Sequence, residues 1–251
     1  MAEGDTILRL ARRIDAALAG EALQVTAPNP RGRAAGVDRL DGMVLDAARA
    51  RGKNLLLEFG ELVLHSHLGM SGGWHLYRRG ERWRRPRRAA WVVMRGARAE
   101  AVQWGGPTLR LLSASRLRRD PGLGRLGPDI LAPDPDHCAV SLRDGEPERA
   151  LGDALLDQTL VAGIGNIFKS EGCFAARVDP WRRLSELDDE ELRRVTGATA
   201  GLMQEAARSG RQPRAVYRRA GQPCPVCGAS IISRGQGDAN RTTYWCEQCQ
   251  E

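Results

Sequence analysis

The chain has no long hydrophobic run and no N-terminal segment of the kind that directs secretion. A membrane-spanning helix needs roughly 18 or more consecutive apolar residues, and no stretch approaches that length. A secretion signal starts with basic residues followed by an apolar segment, and the first residues do not follow this pattern. The sequence therefore predicts a cytoplasmic protein, in a cytosol of the bacterial type, with no membrane partner.

Lysine is scarce, although the chain is basic. Lysine and arginine together number 38 and the formal net charge is +7, yet only Lys53 and Lys169 are lysines, which leaves 36 arginines. A positive excess favours a polyanionic partner over an acidic small molecule. Because arginine does not give up its proton or act as a nucleophile, the two lysines are the basic residues to consider for proton transfer.

Hydrophobic patterning over the first half predicts a leading helix followed by β-structure. Apolar residues from Ile7 to Leu18 repeat at helical spacing, and Gly20 is placed to end the helix. Short β-like runs separated by glycine and proline come next, which is typical of a sandwich or barrel. The predicted strands are Glu21–Thr26, Gly42–Ala48, Asn54–Phe59, Leu62–Leu68, Ala90–Met94 and Thr108–Leu112.

The second half of the chain is predicted to be helical and ends in a cysteine-rich segment. Gly122–Pro135 is rich in glycine and proline and predicts a linker. Helices are expected over Gly152–Leu160, from Asn166 onward, and from about Asp188 to Ser209. The chain is therefore predicted to be α+β, with an N-terminal domain over 1–120, a helical domain over 136–220 and a small metal-binding module over 221–251.

Four of the six cysteines have the spacing of a zinc ribbon. Two C-x-x-C pairs are separated by eighteen residues, and two such knuckles supply four thiolates to a tetrahedral ion. Four sulfur ligands leave no open position, so we expect one structural Zn²⁺ rather than a catalytic metal. Cys138 and Cys173 are most simply buried thiols. The predicted zinc ligands are Cys224, Cys227, Cys246 and Cys249.

Two segments of the second half are candidates for contact with phosphate. In Gln158–Glu171 (QTLVAGIGNIFKSE) a glycine turn places Asn166 and Lys169 at the start of a helix, where free N–H groups and the helix dipole favour an anion. Arg241 lies in a polar turn between the zinc knuckles, at the tip of an expected β-hairpin. It either meets a phosphate or is simply exposed.

The β-rich half holds further candidates. His65 and His67 alternate along a strand, so both lie on one side of it. No further ligand completes a metal site, which favours packed or hydrogen-bonded histidines. Met70 follows at a glycine-flanked tip, either as a wedge between bases or as a core residue. Lys53 opens a strand, where it binds phosphate, transfers protons or is a surface lysine.

A strongly basic segment interrupts the predicted strands. Arg78–Arg88 (RRGERWRRPRR) is too basic and too broken by proline to be a core element. We expect an exposed loop that either contacts DNA or is a solvated charged surface.

The N-terminus places an amine beside a carboxylate. Removal of Met1 would expose the α-amine of Ala2, which has an ordinary pKa of about 8 and is partly nucleophilic near neutral pH. Glu3 follows directly, ahead of the leading helix. Together they supply a nucleophile and an acid/base group, or merely an unremarkable start of a protein.

Five motifs in this order resemble the Fpg/Nei DNA glycosylases, and most closely the endonuclease VIII-like members. The resemblance runs from Glu3 to the last cysteine and implies a β-sandwich with a leading helix, a helix–two-turn–helix domain and a C-terminal zinc finger. The motifs are Met1–Asp5 (MAEGD), Arg51–Asn54 (RGKN), His65–Met70 (HSHLGM), Ala162–Glu171 (AGIGNIFKSE) and the four-cysteine finger with Arg241–Cys246 (RTTYWC).

The resemblance implies a DNA glycosylase of base excision repair that flips and excises damaged, oxidised bases, with β,δ-elimination at abasic sites (AP lyase activity). It assigns catalytic roles to Glu3, Lys53 and Arg241. It assigns DNA binding to Arg241 as well, with Asn166 and Lys169 on the helical segment and Met70 as the residue that fills the gap left by the flipped base. The implied partner is double-stranded DNA with damaged or abasic sites, bound by a monomer associated with the nucleoid.

One departure from the family affects the nucleophile. The family has proline where this chain has Ala2, and alanine retains an amine but lacks the proline ring. The sequence therefore predicts weakened or absent AP lyase activity. A catalytically degenerate damage-binding protein of the same fold is the alternative. A third hypothesis is a zinc-ribbon transcription factor, but it leaves Glu3 and the β-domain unexplained.

Overall fold

The computed structural model describes residues 2–251. By its internal contacts the chain divides into two units. The first contains Ala2 and Thr6–Gly124, and the second contains Glu3–Asp5 and Arg125–Glu251. No helix among the described residues is long and apolar enough to cross a membrane.

The first unit is built mainly from antiparallel strands that follow one long helix. Helix α1 spans Gly4–Leu18, and Gly20 follows it with a left-handed backbone (φ +80°), as the sequence predicts. The other elements are β1 (Gln24–Thr26), α2 (Pro30–Ala34), a 3₁₀ turn (Val37–Leu40), β2 (Ala47–Arg51), β3 (Asn54–Phe59), β4 (Leu62–His67), β5 (Gly73–Arg78), a 3₁₀ turn (Arg87–Ala89), β6 (Val92–Arg95), β7 (Ala99–Trp104), β8 (Thr108–Ser113), α3 (Ala114–Arg118) and α4 (Pro121–Gly124).

The strands form two four-stranded sheets, which confirms the predicted sandwich. Their orders are β1-β6-β7-β5 and β2-β3-β4-β8, and every pair is antiparallel. Side chains from both sheets and from α1, among them Ile7, Leu57 and Met94, form one buried cluster. A sandwich results because alternate residues of each strand point to the shared core.

Two strands were not predicted, and one was misplaced. Gly73–Arg78 (GWHLYR) and Ala99–Trp104 (AEAVQW) contain glycine, alanine and charged residues that are uncommon in strands, so packing rather than propensity determines them. The predicted strand over Gly42–Ala48 is wrong. Val44 forms only an isolated bridge with Ala22, and β2 begins at Ala47.

The second unit combines helices with a small hairpin. Its long helix α8 has Asp188 as N-cap, whose backbone N–H donates in turn to the Glu191 side chain, and it ends at Gly210 with φ +76°, as predicted. The hairpin lies between the two cysteine pairs, where the sequence places it. The elements are α5 (Asp136–Arg143), α6 (Leu151–Ala154), α7 (Asn166–Ala176), a 3₁₀ turn (Leu184–Glu186), α8 (Asp189–Ser209), β9 (Ile232–Gln236) and β10 (Arg241–Trp245).

The start of this unit differs from the prediction. The helix expected over Gly152–Leu160 is wrong beyond its first turn, because the Asp157 carboxylate accepts hydrogen bonds from the N–H and hydroxyl of Thr159 and stabilises a turn instead. Helix α5 was not foreseen. Gly122–Pro135 is more than a linker, since Ile130 is fully buried in the helical core.

Candidate functional site

Glu3 is held at the N-terminus of α7 by backbone hydrogen bonds. Its side chain is fully buried, and its two carboxylate oxygens accept bonds from the N–H groups of Gly165 (3.0 Å), Ile167 (2.9 Å) and Phe168 (3.3 Å). These donors belong to the first helical turn, where N–H groups lack intrahelical partners and the helix dipole is positive. The glycine turn therefore presents an anion site, as the sequence predicts, but the protein's own carboxylate occupies it.

The glycines before α7 permit this approach. A β-carbon at Gly165 would collide with the Glu3 carboxylate, and Gly163 has a left-handed backbone (φ +105°). The N–H of Gly4 donates to the carbonyl of Gly163 at 3.0 Å, so backbone as well as side chain fixes the start of the chain here. Glycine is needed because any side chain would displace the carboxylate.

Asn166 faces the zinc-finger hairpin. It is nearly buried (9% exposed), and its Nδ2 donates to the carbonyl of Thr242 at 2.8 Å. Its Oδ1 is buried and has no hydrogen-bond partner among the described residues. Arg241 lies next along the hairpin and is exposed. The structure thus brings Asn166 together with the segment that carries Arg241.

Lys169 is not at the surface, so the expectation that it meets a phosphate is wrong for this structure. Its side chain is fully buried, and Nζ donates to the hydroxyl of Thr243 at 2.6 Å. That hydroxyl donates to Gln236 Oε1 (2.6 Å), and Gln236 Nε2 donates to the carbonyl of Pro180 (2.7 Å). Burial lowers the pKa of Lys169 to about 8. The lysine therefore joins α7 to both strands of the hairpin.

Glu171 holds the chain that leads into the finger. It is buried and accepts hydrogen bonds from the N–H groups of Ala215 (2.9 Å), Val216 (2.9 Å) and Tyr217 (2.7 Å). The sequence motif ends on this residue without indicating its role. Thr243 and Gln236 carried no sequence signal, because a polar side chain inside a hairpin looks like any surface residue until its partner is known.

The four predicted zinc ligands converge. Their sulfur atoms all lie within 4.8 Å of one another, with Cys224 and Cys249 at 3.8 Å and Cys227 and Cys246 at 3.5 Å. Zn–S bonds of about 2.3 Å in a tetrahedron imply S···S separations of roughly 3.8 Å, so the donor set fits one structural Zn²⁺. Elsewhere among the described residues no other cluster of potential ligands occurs.

The other two cysteines are inert by position. Cys138 and Cys173 are fully buried, as predicted, and burial raises the pKa of each thiol to about 12. A thiol with so high a pKa is neutral and a poor nucleophile near pH 7.

In the first unit, Lys53 directly precedes β3, and His65 and His67 lie on β4, the strand that pairs with β3. Lys53 is partly buried in the turn between β2 and β3. His65 is buried and bonded to Asn54 and Arg110, and burial together with the Arg110 charge lowers its pKa to about 4. Burial, and then the charge of Lys53, also lowers the pKa of His67. The histidines are packed, as the sequence favours, and Lys53 is close enough to influence one of them.

Met70 lies at the rim of a cavity in the first unit. Its side chain is 78% exposed, at the glycine-flanked turn after β4, so it is not the core methionine of the alternative reading. The cavity measures about 300 Å³, and Ala2, Thr6, Trp74 and two arginines of α1 are among its lining residues. Met1, whose removal would free the Ala2 amine, lies outside the described residues.

The sandwich, the helical unit with its glycine turn and the four-cysteine cluster define a zinc-finger protein of the helix–two-turn–helix type. Family models match along nearly the whole chain: the formamidopyrimidine-DNA glycosylase N-terminal domain at residues 1–104, the H2TH domain of the same enzymes at 126–216, and the zinc finger found in FPG and IleRS at 221–251. The chain belongs to the formamidopyrimidine-DNA glycosylase and endonuclease VIII family.

Named relatives match over nearly their full length. A probable endonuclease 8 2 from Streptomyces coelicolor is 41% identical over all of this chain and 94% of its own. The DNA-(apurinic or apyrimidinic site) lyase Nei2 of Mycolicibacterium smegmatis is 37% identical over all of this chain and 99% of its own. Among solved structures, Lactococcus lactis formamidopyrimidine-DNA glycosylase bound to abasic-site DNA superposes with a TM-score of 0.82 at 23% identity over 99% of both chains, which supports the fold.

Proposed function

We propose that this chain excises damaged, oxidised bases from double-stranded DNA, with Glu3 as the acid/base group at the sugar. The observation that carries the proposal is the placement of Glu3: a buried carboxylate fixed by three backbone donors at the start of α7, directly after the residue whose amine is the candidate nucleophile. In its protonated form, a carboxyl group fixed in this position can hand its proton to the sugar ring while the base leaves, and the carboxylate that results can accept a proton in a later step. Base flipping is required, because the glycosidic carbon is inaccessible in stacked DNA.

The DNA contacts follow from the remaining site residues. Asn166 and Arg241 are assigned to the phosphates around the lesion, since α7 and the finger hairpin hold them on neighbouring segments. Met70 is assigned to the gap left by the flipped nucleotide, because an exposed apolar side chain on a tight turn can wedge between bases. Lys53 is assigned to a phosphate and to assistance in catalysis. Lys169 acts behind these residues by holding the hairpin.

Ala2 determines the second part of the proposed activity, which is the AP lyase step. A primary amine at Ala2 can still form a Schiff base with the sugar, but without the ring of proline it is less nucleophilic and less fixed. We therefore assign base excision to this chain with AP lyase activity that is reduced relative to family members with proline. The protein acts as a monomer, with catalytic, helical and finger domains over 1–120, 136–220 and 221–251, in the compartment that holds the chromosome.

The test is incubation with duplex DNA that carries either an oxidised pyrimidine or an abasic site, with sodium borohydride to reduce any Schiff base to a stable adduct. Release of free base is the expected result on the first duplex. A covalent adduct, formed slowly, is expected on the second. Ala2→Pro is the matched variant, and it should form the adduct faster because it restores the ring.

Three outcomes separate the alternatives. Base release with no adduct from either variant would assign a glycosylase without lyase activity and contradict the role of Ala2. Binding to the damaged duplex without base release would favour the damage-binding protein and contradict the enzyme. An adduct whose rate is unchanged in Ala2→Pro would show that another amine is the nucleophile.

A further inference from the structure

The segment between β5 and β6 is a crossover that lies on the outer face of its sheet. Both β5 and β6 pair antiparallel with β7, one on each side of it, so they run parallel to each other. Parallel strands of one sheet need a connection that returns across a face. Arg78–Arg88 forms most of this connection, and we call it the basic crossover.

A small hydrophobic cluster fixes the basic crossover on that face. Trp83 packs with Tyr77 and Trp104, at ring-centroid distances of 6.3 and 6.0 Å, in a cluster separate from the sandwich core. Its indole N–H donates to Glu100 Oε2 at 2.9 Å, and the backbone N–H of Arg84 donates to the Tyr77 hydroxyl at 3.2 Å. The crossover is therefore anchored to the sheet by packing and hydrogen bonds.

Nearly all of the net charge of the chain lies on this element. It contains seven arginines and one glutamate, a net +6, whereas the whole chain carries +7, so the other 240 residues carry +1. All seven arginines are exposed: Arg78, Arg79, Arg82, Arg84, Arg85, Arg87 and Arg88.

These arginines do not serve the fold through ion pairs. Within the described residues, nine arginines elsewhere lie within 4.0 Å of a carboxylate oxygen, but none of the seven does. Glu81 accepts a bond from the backbone N–H of Arg78, and Glu100 is bound to Trp83 and Arg95. Like charges held close together repel one another, so this concentration costs stability unless a polyanion neutralises it.

We propose that the basic crossover is a second DNA-binding surface of this chain, which contacts the phosphates of duplex DNA outside the lesion and without regard to sequence. The proposal rests on the proposed function, because the family fold makes DNA the polyanion at hand. Exposed guanidinium groups on a fixed support bind phosphate oxygens and release counterions, which supplies sequence-independent affinity. Asn166 and Arg241 then position the lesion, while the crossover supplies affinity for DNA of any sequence.

The test is the salt dependence of binding to undamaged duplex DNA, measured by fluorescence anisotropy between about 50 and 200 mM salt. The variant Arg82→Gln/Arg85→Gln/Arg88→Gln changes side chains for which the structure shows no hydrogen bond or ion pair, so it should fold and keep its zinc. We expect the slope of log affinity against log salt to become shallower by about 0.9 for each lost phosphate contact, and affinity at low salt to fall roughly tenfold.

Two further variants make the result specific. Arg39→Gln/Arg193→Gln/Arg208→Gln removes the same charge from exposed positions elsewhere, and its slope should equal that of the wild type. The lysine triple Arg82→Lys/Arg85→Lys/Arg88→Lys should keep the wild-type slope, because counterion release depends on charge. Equal losses of DNA affinity in the glutamine triple and in the distant control would show that only the net charge of the chain matters, and this would overturn the proposal.

The proposal and the proposed function fail in different ways. Failure of the wild type to bind any duplex would overturn both. Normal binding by the wild type with an unchanged slope in Arg82→Gln/Arg85→Gln/Arg88→Gln would overturn only the second surface. If Arg82→Gln/Arg85→Gln/Arg88→Gln lost binding to vesicles of anionic phospholipid while its DNA binding stayed intact, the crossover would be assigned to a membrane surface. That result would also overturn the proposed second DNA-binding surface.

Discussion

Two buried carboxylates of the second unit have the same kind of backbone hydrogen bonding and different proposed roles. Glu3 and Glu171 each accept three backbone N–H hydrogen bonds, over 2.9–3.3 Å for Glu3 and 2.7–2.9 Å for Glu171. The donors to Glu3 lie at the entry to α7, and those to Glu171 lie in the segment that leads into the zinc finger. Glu171 thus ties one segment to another, whereas Glu3 follows directly after the candidate nucleophile.

Hydrogen bonds from backbone N–H groups to a buried carboxylate therefore do not by themselves indicate whether its role is structural or chemical. Both carboxylates satisfy N–H groups that would otherwise be buried without partners. In the proposed function, only Glu3 has a reaction to serve, because it directly follows Ala2 in the chain. We therefore expect replacement of Glu171 to affect the fold, and replacement of Glu3 to affect the chemistry as well.

Glu171→Ala should have the largest effect on stability. Truncation leaves three N–H groups without an acceptor, each at a cost of about 1–3 kcal/mol, so the free energy of unfolding should fall by several kcal/mol. The finger should also release its metal more readily, since Glu171 holds the chain ahead of it. Chemical denaturation and zinc release to a chelator measure the two effects. A loss below about 1 kcal/mol would contradict the structural role of Glu171.

The secondary-structure elements of this region could be predicted from the sequence, but the buried contacts between them could not. The capping residues of α8, the glycine turn before α7 and the cysteine spacing are local patterns, so each predicted its element. Glu171 accepts bonds from residues 215–217, and no local pattern reveals partners so distant in the chain. Asp157 ends a predicted helix for a different, local reason, because its hydrogen bonds to Thr159 compete with helical ones.

Lys169, which is buried on α7 two residues before Glu171, should give stability a distinct pH dependence. Its folded-state pKa is about 8, against 10.5 when exposed. Below about pH 8 both states are charged, and folding must bury the charge. Between about pH 8 and 10.5 the unfolded state binds more protons, so stability should rise with pH by up to about 3 kcal/mol.

Lys169→Met is the matched control for this prediction, since it keeps the length of the side chain and removes the titrating group. The difference in unfolding free energy between wild type and variant, measured from pH 7.5 to 10.5, isolates the lysine from the cysteines. A constant difference across this range would contradict a buried, titrating lysine.

Neither the burial of Lys169 nor the anchoring of the basic crossover could be predicted from the sequence. A lysine at a helix start is typical of a phosphate ligand, and only the hairpin packed against α7 shows that the Thr243 hydroxyl accepts its hydrogen bond instead. The crossover read as a loop because its anchor is a single tryptophan. Its partners, Tyr77 and Trp104, belong to β5 and β7, the two strands that propensity failed to identify.

Met70→Ala should have the smallest effect and tests a site residue that depends on no hydrogen bond. Since the side chain is exposed, stability should change by less than about 0.5 kcal/mol. Loss of the wedge should cost about 1 kcal/mol in base excision, roughly fivefold in rate, because the gap left by the flipped nucleotide is no longer filled. Single-turnover excision measures this effect, with Val44→Ala as an exposed apolar control. Equal rates in both variants would remove Met70 from its role.

The comparison of the two carboxylates is tested most directly by single-turnover base excision with Glu3→Gln and Glu171→Gln, at saturating damaged duplex and at a temperature where both variants are folded. We expect Glu3→Gln to lower the rate on the order of 10²–10⁴-fold with DNA affinity retained, as for loss of an acid/base group. Glu171→Gln should stay within a few-fold of the wild type. Equal rates for the two variants would contradict the assignment of catalysis to Glu3.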